Sequence, residues 1–419
     1  MADNSHWDWE KGTKVIHKLS RCDADVTWLE EPYASPDGEK IACIAKLEDE
    51  FTVCVNGKPW EKTFEKAWHL RFSPDGRLTC LVSEEMEWTL AVDGEPWEEH
   101  YAYIWNTLFS RDGQTIAASI QQDGQYGMVV NGTPWENLYP NANEFALSPD
   151  GKKTAAVVQK ISLTEGDIFG FQEGTFSVAV DGQVWDTNYV NAYTPVFSPD
   201  GQNVAAQMRI NLYDYSIAVD GKPWDKFFPC IWDPTFNPAN SNITAPVRQA
   251  GKWGLAENGQ VIWDPVFTQI WHQTYSDDGK NLYAIGAPRY GKWTIVHNGN
   301  PWQITVEDMV SDLTVSPDGT KAAVTAKQGA KWTIMTDESL WPQWYDMIWS
   351  PVFSPDSRHL AVKVENPGKR YTIVVNGKPY KDVFTHCWEP VFSPDSQSVL
   401  IRGVQGGIYK RIVAKVNDF

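Results

Sequence analysis

The sequence predicts an all-β protein of propeller type, made of four-stranded antiparallel blades, about ten repeats in one ring, with two five-bladed rings as the alternative. Three observations carry that expectation. A turn spelled Ser-Pro-Asp-Gly, or close to it, begins at Ser35, Ser73, Ser110, Ser148, Ser198, Asn237, Ser276, Ser316, Ser354 and Ser393, in steps of 38, 37, 38, 50, 39, 39, 40, 38 and 39 residues. A second turn, Asn-Gly or Asp-Gly, recurs after the first in eight copies and is followed by a Trp in seven of them. No linker, charge block or low-complexity run interrupts the 419 residues, so residues 1–419 read as a single propeller body.

The inner strand of each unit is the apolar run into the first turn. Pro32, Pro195, Pro234, Pro351 and Pro390 each stand three residues before the turn Ser or Asn. Proline has no N–H to give a ladder, so this strand belongs at a sheet edge, where a propeller places it. The second strand is a short alternating segment such as Lys153 to Val158. The third opens with an aromatic in nine units, at Phe51, Trp88, Tyr126, Phe176, Tyr215, Trp253, Trp293, Trp332 and Tyr371. Those rings are expected to pack between neighbouring blades.

The outer strand follows a hairpin. Asn56-Gly57, Asp93-Gly94, Asn131-Gly132, Asp181-Gly182, Asp220-Gly221, Asn258-Gly259, Asn298-Gly299 and Asn376-Gly377 suit type I′ turns, which need positive φ at both centres. After it comes a second aromatic register: Trp60, Trp97, Trp135, Trp185, Trp224, Trp263, Trp302, Trp341 and Tyr380. Its regularity marks it as structural. The last unit, Ser398 to Val404 and Ile408 to Val416, lacks an outer strand, and Thr13 to Leu19 is expected to supply it.

A third register, five residues before the first turn, holds Trp68, Trp105, Tyr193, Trp232, Trp271, Trp349 and Trp388. Where each inner strand begins, these rings are expected to form a partial ring around the channel mouth, on the face opposite both turns. Clustered exposed aromatics favour partner binding. Unit four adds residues between its second and third strands, including Phe169 and Phe171, which project from the same face. These nine residues are the candidate partner-binding set.

Composition narrows the partner. A formal charge of −18 excludes the clustered basic surface that nucleic acid or anionic lipid requires. The start Met-Ala-Asp-Asn-Ser carries no signal-peptide pattern and no apolar run is long enough to span a bilayer, so the chain reads as soluble and unexported. Cys22, Cys43, Cys54, Cys80, Cys230 and Cys387 show no haem-attachment or iron–sulfur spacing and read as reduced thiols.

Catalysis finds little support. The eight histidines are dispersed and no Gly-x-Ser-x-Gly elbow occurs. His69, His272 and His386 neighbour ring aromatics and read as hydrogen-bonded surface residues. Asp37, Asp75, Asp150, Asp200 and Asp318 are explained as turn residues rather than calcium ligands. No cofactor, metal site or catalytic residue is expected; a carbohydrate- or small-molecule-binding propeller, or a propeller enzyme with an unrecognised site, is the alternative.

The segments Phe72-Ser-Pro-Asp-Gly76 and Phe197-Ser-Pro-Asp-Gly201 resemble the WD40-like repeat of the TolB family. The Trp-Asp pairs at Trp185, Trp224 and Trp263 follow the hairpin turn, unlike those of true WD40 repeats. The 22 Trp and the hairpins Val55 to Trp60 and Val219 to Trp224 look similar to the tryptophan-rich subunits of the transmembrane redox complexes that contain tetrahaem cytochrome c3. That resemblance implies a non-catalytic scaffold, cytoplasmic and peripheral to the inner membrane, held there by protein partners: an iron–sulfur subunit and a cytochrome b subunit.

Overall fold

The repeat builds one sheet per copy. The computed structural model describes residues 4–20, 22–23 and 26–419, and shows ten four-stranded antiparallel blades with almost no helix, a β-propeller fold. In the second copy the strands are Lys66–Phe72, Leu78–Glu84, Glu87–Val92 and Glu95–Pro96, hydrogen-bonded in that order from the inner edge outwards. The chain divides into two compact units, Ser20–Phe236 and Asn237–Phe419 with Asn4–Leu19. The first unit holds copies one to five and the inner strand of the sixth; copies seven to ten lie wholly in the second.

The second strand departs from the expected alternation. Thr154–Gln159 is buried at five consecutive residues, because a sheet lies against each of its faces. Small and aliphatic side chains therefore fill it on both sides, as in Ile41-Ala-Cys-Ile-Ala45. Each core is shared between neighbouring copies: Ile44 and Val53 of the first pack with Leu70, Cys80 and Val82 of the second, against Phe51 and Trp60. The third-strand aromatics thus pack between blades.

The inner strand is bent in every copy of the first unit. Ladder pairing is interrupted after Trp68, and His69 takes a φ of 62°. Where proline follows in the sixth, ninth and tenth copies the strand breaks in two, as at Met347–Ile348 and Val352–Phe353 around Pro351. Both outcomes fit an edge that gives up ladder bonds.

Both turns have a defined bond pattern. In the first, Ser110 Oγ donates to Asp112 Oδ1 and accepts from the Thr115 N–H, while Asp112 Oδ1 also accepts from the Gln114 N–H. In the second, Asn131 and Gly132 both have positive φ, and Asn131 Oδ1 accepts the Ile116 N–H that opens the second strand. The eighth copy makes the same turn without glycine, with Asp337 at φ 47° and Glu338 at 53°.

The second register and the hairpin glycine form one device. A Cβ on Gly94 would stand 3.1 Å from Trp60 of the preceding copy, and one on Gly182 would stand 3.2 Å from Trp135. The rings of Trp60, Trp97, Trp135, Trp185, Trp263 and Trp341 therefore lie against the bare backbone of the next copy. Gly113 does the same for the first turn, its Cβ position only 2.5 Å from the Asp75 backbone nitrogen.

Gly12–Lys18 pairs antiparallel with Ile408–Lys415 as the outer strand of the tenth sheet, one residue earlier than expected at each end. The cysteines are not all reduced. Cys22 and Cys54 form a disulfide, which ties the segment before the first blade to that blade's third strand. Sequence spacing gave no sign of this pair, since proximity arises only when the Asp23 N–H docks on the Gly57 carbonyl. Cys43, Cys80, Cys230 and Cys387 are thiols outside that bond, and burial raises Cys43 to about 11 and Cys387 to about 12.

Candidate functional site

The candidate site lies on the first unit, at the end of the blades opposite both turns. Pairing of Trp68 with Leu81, and of Ser83 with Trp88, brings the start of the inner strand, the end of the second and the start of the third to one edge. Trp68 meets Trp88 edge-on at 6.4 Å between ring centres, and Trp88 meets Tyr103 of the next copy at 6.2 Å. Tyr103 lies 5.8 Å from Trp105, which reaches Tyr126 at 6.3 Å and Phe145 of the fourth copy at 5.9 Å. The six rings form a continuous row over three blades.

Much of that row faces outward. Trp68 is 38% exposed and Tyr103 44%, and Trp28 of the first copy, 42% exposed, flanks them. Trp28, Glu30, Phe51, Lys66, Ala67, Trp68, Trp88 and Tyr103 line a groove of about 380 Å³. A second hollow, of about 530 Å³, is lined by Glu50, Thr63, Phe64, Glu65, Glu84, Glu85, Glu87 and His100. The two share chain neighbours: Glu50 with Phe51, Glu65 with Lys66 and Glu87 with Trp88.

The hairpin of the second copy projects beside the row. Glu85 and Met86 hold φ values of 51° and 68° without a glycine, and Met86 is 87% exposed. Glu84 Oε2 lies 3.1 Å from His100 Nε2, and Glu65 Oε2 accepts the Met86 N–H. His69, 5.6 Å from Trp68, is lowered in pKa by its burial and then by Arg71, which favours the neutral ring near pH 7.

The other expected rings distribute differently. Tyr193 takes a hydrogen bond from Asn191 Nδ2, and Trp232 is 41% exposed. In the second unit Trp271, Trp349 and Trp388 each lie against an aromatic of their own blade: Trp293 at 4.6 Å, Tyr371 at 5.8 Å and Tyr409 at 5.7 Å. Lys363 Nζ covers Trp349 at 4.1 Å and pairs with Glu389. The insertion of the fourth copy folds as a short helix, Ile168–Glu173, capped by Asp167; Phe169 is exposed and Phe171 half-buried.

Two features escaped sequence reasoning. Tyr103, which bridges Trp88 to Trp105, belongs to none of the three registers; its only signal was its place two residues before Trp105 on one strand face. A polar register follows the third aromatic one, with Glu31, His69, Asn106, Glu144 and Thr194 all at φ between 45° and 62°. It stitches inner strands together: the Thr194 N–H donates to Glu144, and Thr194 Oγ1 to Asp233 Oδ1 at 3.0 Å. The turn aspartates are occupied by their own Ser hydroxyls, which hold Asp278 and Asp318 down at about 2.

Sheet order defines a β-propeller repeat protein, with a row of aromatic rings along one edge of its first unit. No protein-family profile matches the chain and no curated protein sequence matches it. Solved structures similar to part of it include a eukaryotic initiation factor (15% identity, 81% of this chain and 93% of that one, TM-score 0.49). TolB from Acinetobacter baumannii is 16% identical over 53% of this chain and 63% of its own, at a TM-score of 0.29. Hydrazine synthase of Kuenenia stuttgartiensis is 16% identical over 74% of this chain and 96% of its own, at 0.27. At such scores the fold assignment rests on this chain's own sheets.

Proposed function

We propose that the chain is a non-catalytic interaction scaffold that docks a partner protein on the aromatic edge of its first unit. The observation that carries this is the unbroken row from Trp68 to Phe145, with exposed rings at Trp68 and Tyr103. Rings left in water oppose the hydrophobic effect in a free molecule and become favourable when covered, which is why they concentrate at interface centres. The finer form of the proposal is a subunit of a membrane-associated electron-transfer complex, with iron–sulfur and cytochrome b subunits as partners and a cytoplasmic position beside the inner membrane. The hairpin and Trp pattern supports it.

The test is co-purification from native membranes with the tagged chain and its W68S/Y103S variant. The proposal expects haem or iron–sulfur proteins with the parent, and their loss with a variant whose melting is unchanged. Equal recovery with both would overturn the docking edge; recovery of a partner without redox centres would overturn the finer form.

A second reading of location follows from Cys22–Cys54. Such bonds persist in oxidising compartments. Alkylation at lysis, followed by denaturation, decides between them. Six modified thiols support the cytoplasm, and four support an oxidising compartment.

A further inference from the structure

We infer that the occupant of the aromatic edge is a Lys- or Arg-rich extended segment of the partner, which lays its cationic heads on the rings and pairs them with the neighbouring carboxylates. This rests on the docking reading above and names the partner's chemistry. The groove and its companion hollow gather Glu30, Glu50, Glu65, Glu84, Glu85 and Glu87 from the first two copies, against Lys66 and His100 as the basic side chains of their lining.

Two intramolecular pairs in the same copies show the interaction at work. Lys46 Nζ lies 5.8 Å from the Phe51 ring centre, and the Arg71 guanidinium lies 5.2 Å from that of Tyr33. A cation within about 6 Å of a ring face is drawn to its negative quadrupole, most strongly for Trp. Trp28, Trp68 and Tyr103 are rings of the same kind left open to solvent, at 42%, 38% and 44% exposure. Edge-to-face contacts between Trp68, Trp88 and Tyr103 turn successive rings by 78° and 72°.

Charge selects among occupants. An acidic segment would meet uncompensated carboxylates, and an uncharged apolar one would leave Glu85 and Glu87, both exposed beside the groove, without a counter-charge. A basic segment satisfies rings and carboxylates together. The 87% exposed Met86 adds a flexible apolar contact at the rim.

The experiment uses the full chain and short fluorescein-labelled peptides of alternating Lys-Ala, Glu-Ala and Ser-Leu, followed by fluorescence anisotropy. The Lys-Ala peptide is expected to bind and the Glu-Ala peptide not. W68S/Y103S should weaken binding about tenfold. E85Q/E87Q, which alters exposed side chains only, should weaken it and flatten its salt dependence. E61Q/E136Q, which removes the same charge elsewhere on the first unit, should leave it unchanged. The inference is overturned if Ser-Leu binds as well as Lys-Ala, if E61Q/E136Q loses as much as E85Q/E87Q, or if sedimentation shows a dimer that W68S/Y103S dissolves, which would assign the edge to a second copy. Failure of Lys-Ala binding while W68S/Y103S still loses its partner from membranes overturns the partner chemistry alone and leaves the docking edge standing.

Discussion

Truncating Trp135 and Trp68 in turn separates a ring that holds the fold from one that faces outward. Trp135 is 7% exposed, lies against Gly182 of the next blade and donates its indole N–H to Thr154 Oγ1 at 2.8 Å. At about 25 cal/mol per Å² over roughly 200 Å² of indole, its burial is worth about 5 kcal/mol. That is the upper end of the ~3–5 kcal/mol typical for aromatic truncation. Thr154 keeps Asp181 Oδ1 at 3.0 Å, so the lost hydrogen bond adds little. Trp68 is 38% exposed, and the same arithmetic over its buried remainder gives about 3 kcal/mol. Urea unfolding followed by circular dichroism should show a clearly larger midpoint shift for Trp135→Ala than for Trp68→Ala. Equal shifts, or the reverse order, would refute the division of labour between the two registers.

Gly113→Ala and Gly124→Ala share positive φ, at 78° and 75°, yet only the first places a methyl 2.5 Å from backbone, while the second opens into empty space. Gly124→Ala should cost about 1 kcal/mol and Gly113→Ala at least twice that, by melting. Asp278 and Asp318 fall from 3.8 to about 2 in the fold, chiefly through the hydroxyls of Ser276 and Ser316. The folded value lies below the unfolded one, so their stabilisation is complete above about pH 4 and is lost as pH drops towards 2. Asp278→Asn with Asp318→Asn should flatten the melting-temperature profile across that window; an unaltered profile would show the turn bonds to be irrelevant. Deleting residues 4–19 strips Ile408–Lys415 of its outer neighbour and should destabilise the second unit, read as an earlier unfolding transition. An unshifted transition would show that strand to be dispensable.

The architecture was legible because its signals are local. Asn131-Gly132 needs positive φ wherever it stands, and Ser110 to Thr115 closes its own turn, so each copy announced itself by spelling. The second strand was misread as alternating because period-two patterning assumes one wet face, and Thr154–Gln159 has none. The site was half legible. The third register pointed to the end of the blades opposite both turns, where the row lies, but Tyr103, which makes Trp68, Trp88 and Trp105 continuous, lies off every repeat. The Cys22–Cys54 bond depends on a loop docking on Gly57 that no periodicity encodes.

The indole-on-glycine contact is head-to-tail. The second, third and fourth copies each carry a ring for the following copy and, on the opposite flank, a bare backbone that receives the ring of the preceding one, as the third copy does with Trp135 and Gly132. A tandem duplication of one of these three copies therefore inserts both halves of the joint at once and supplies each new neighbour with its matching surface. Within a unit, such an array lengthens most readily by complete modules, and a fragment that ends mid-module would present an unmatched indole to water.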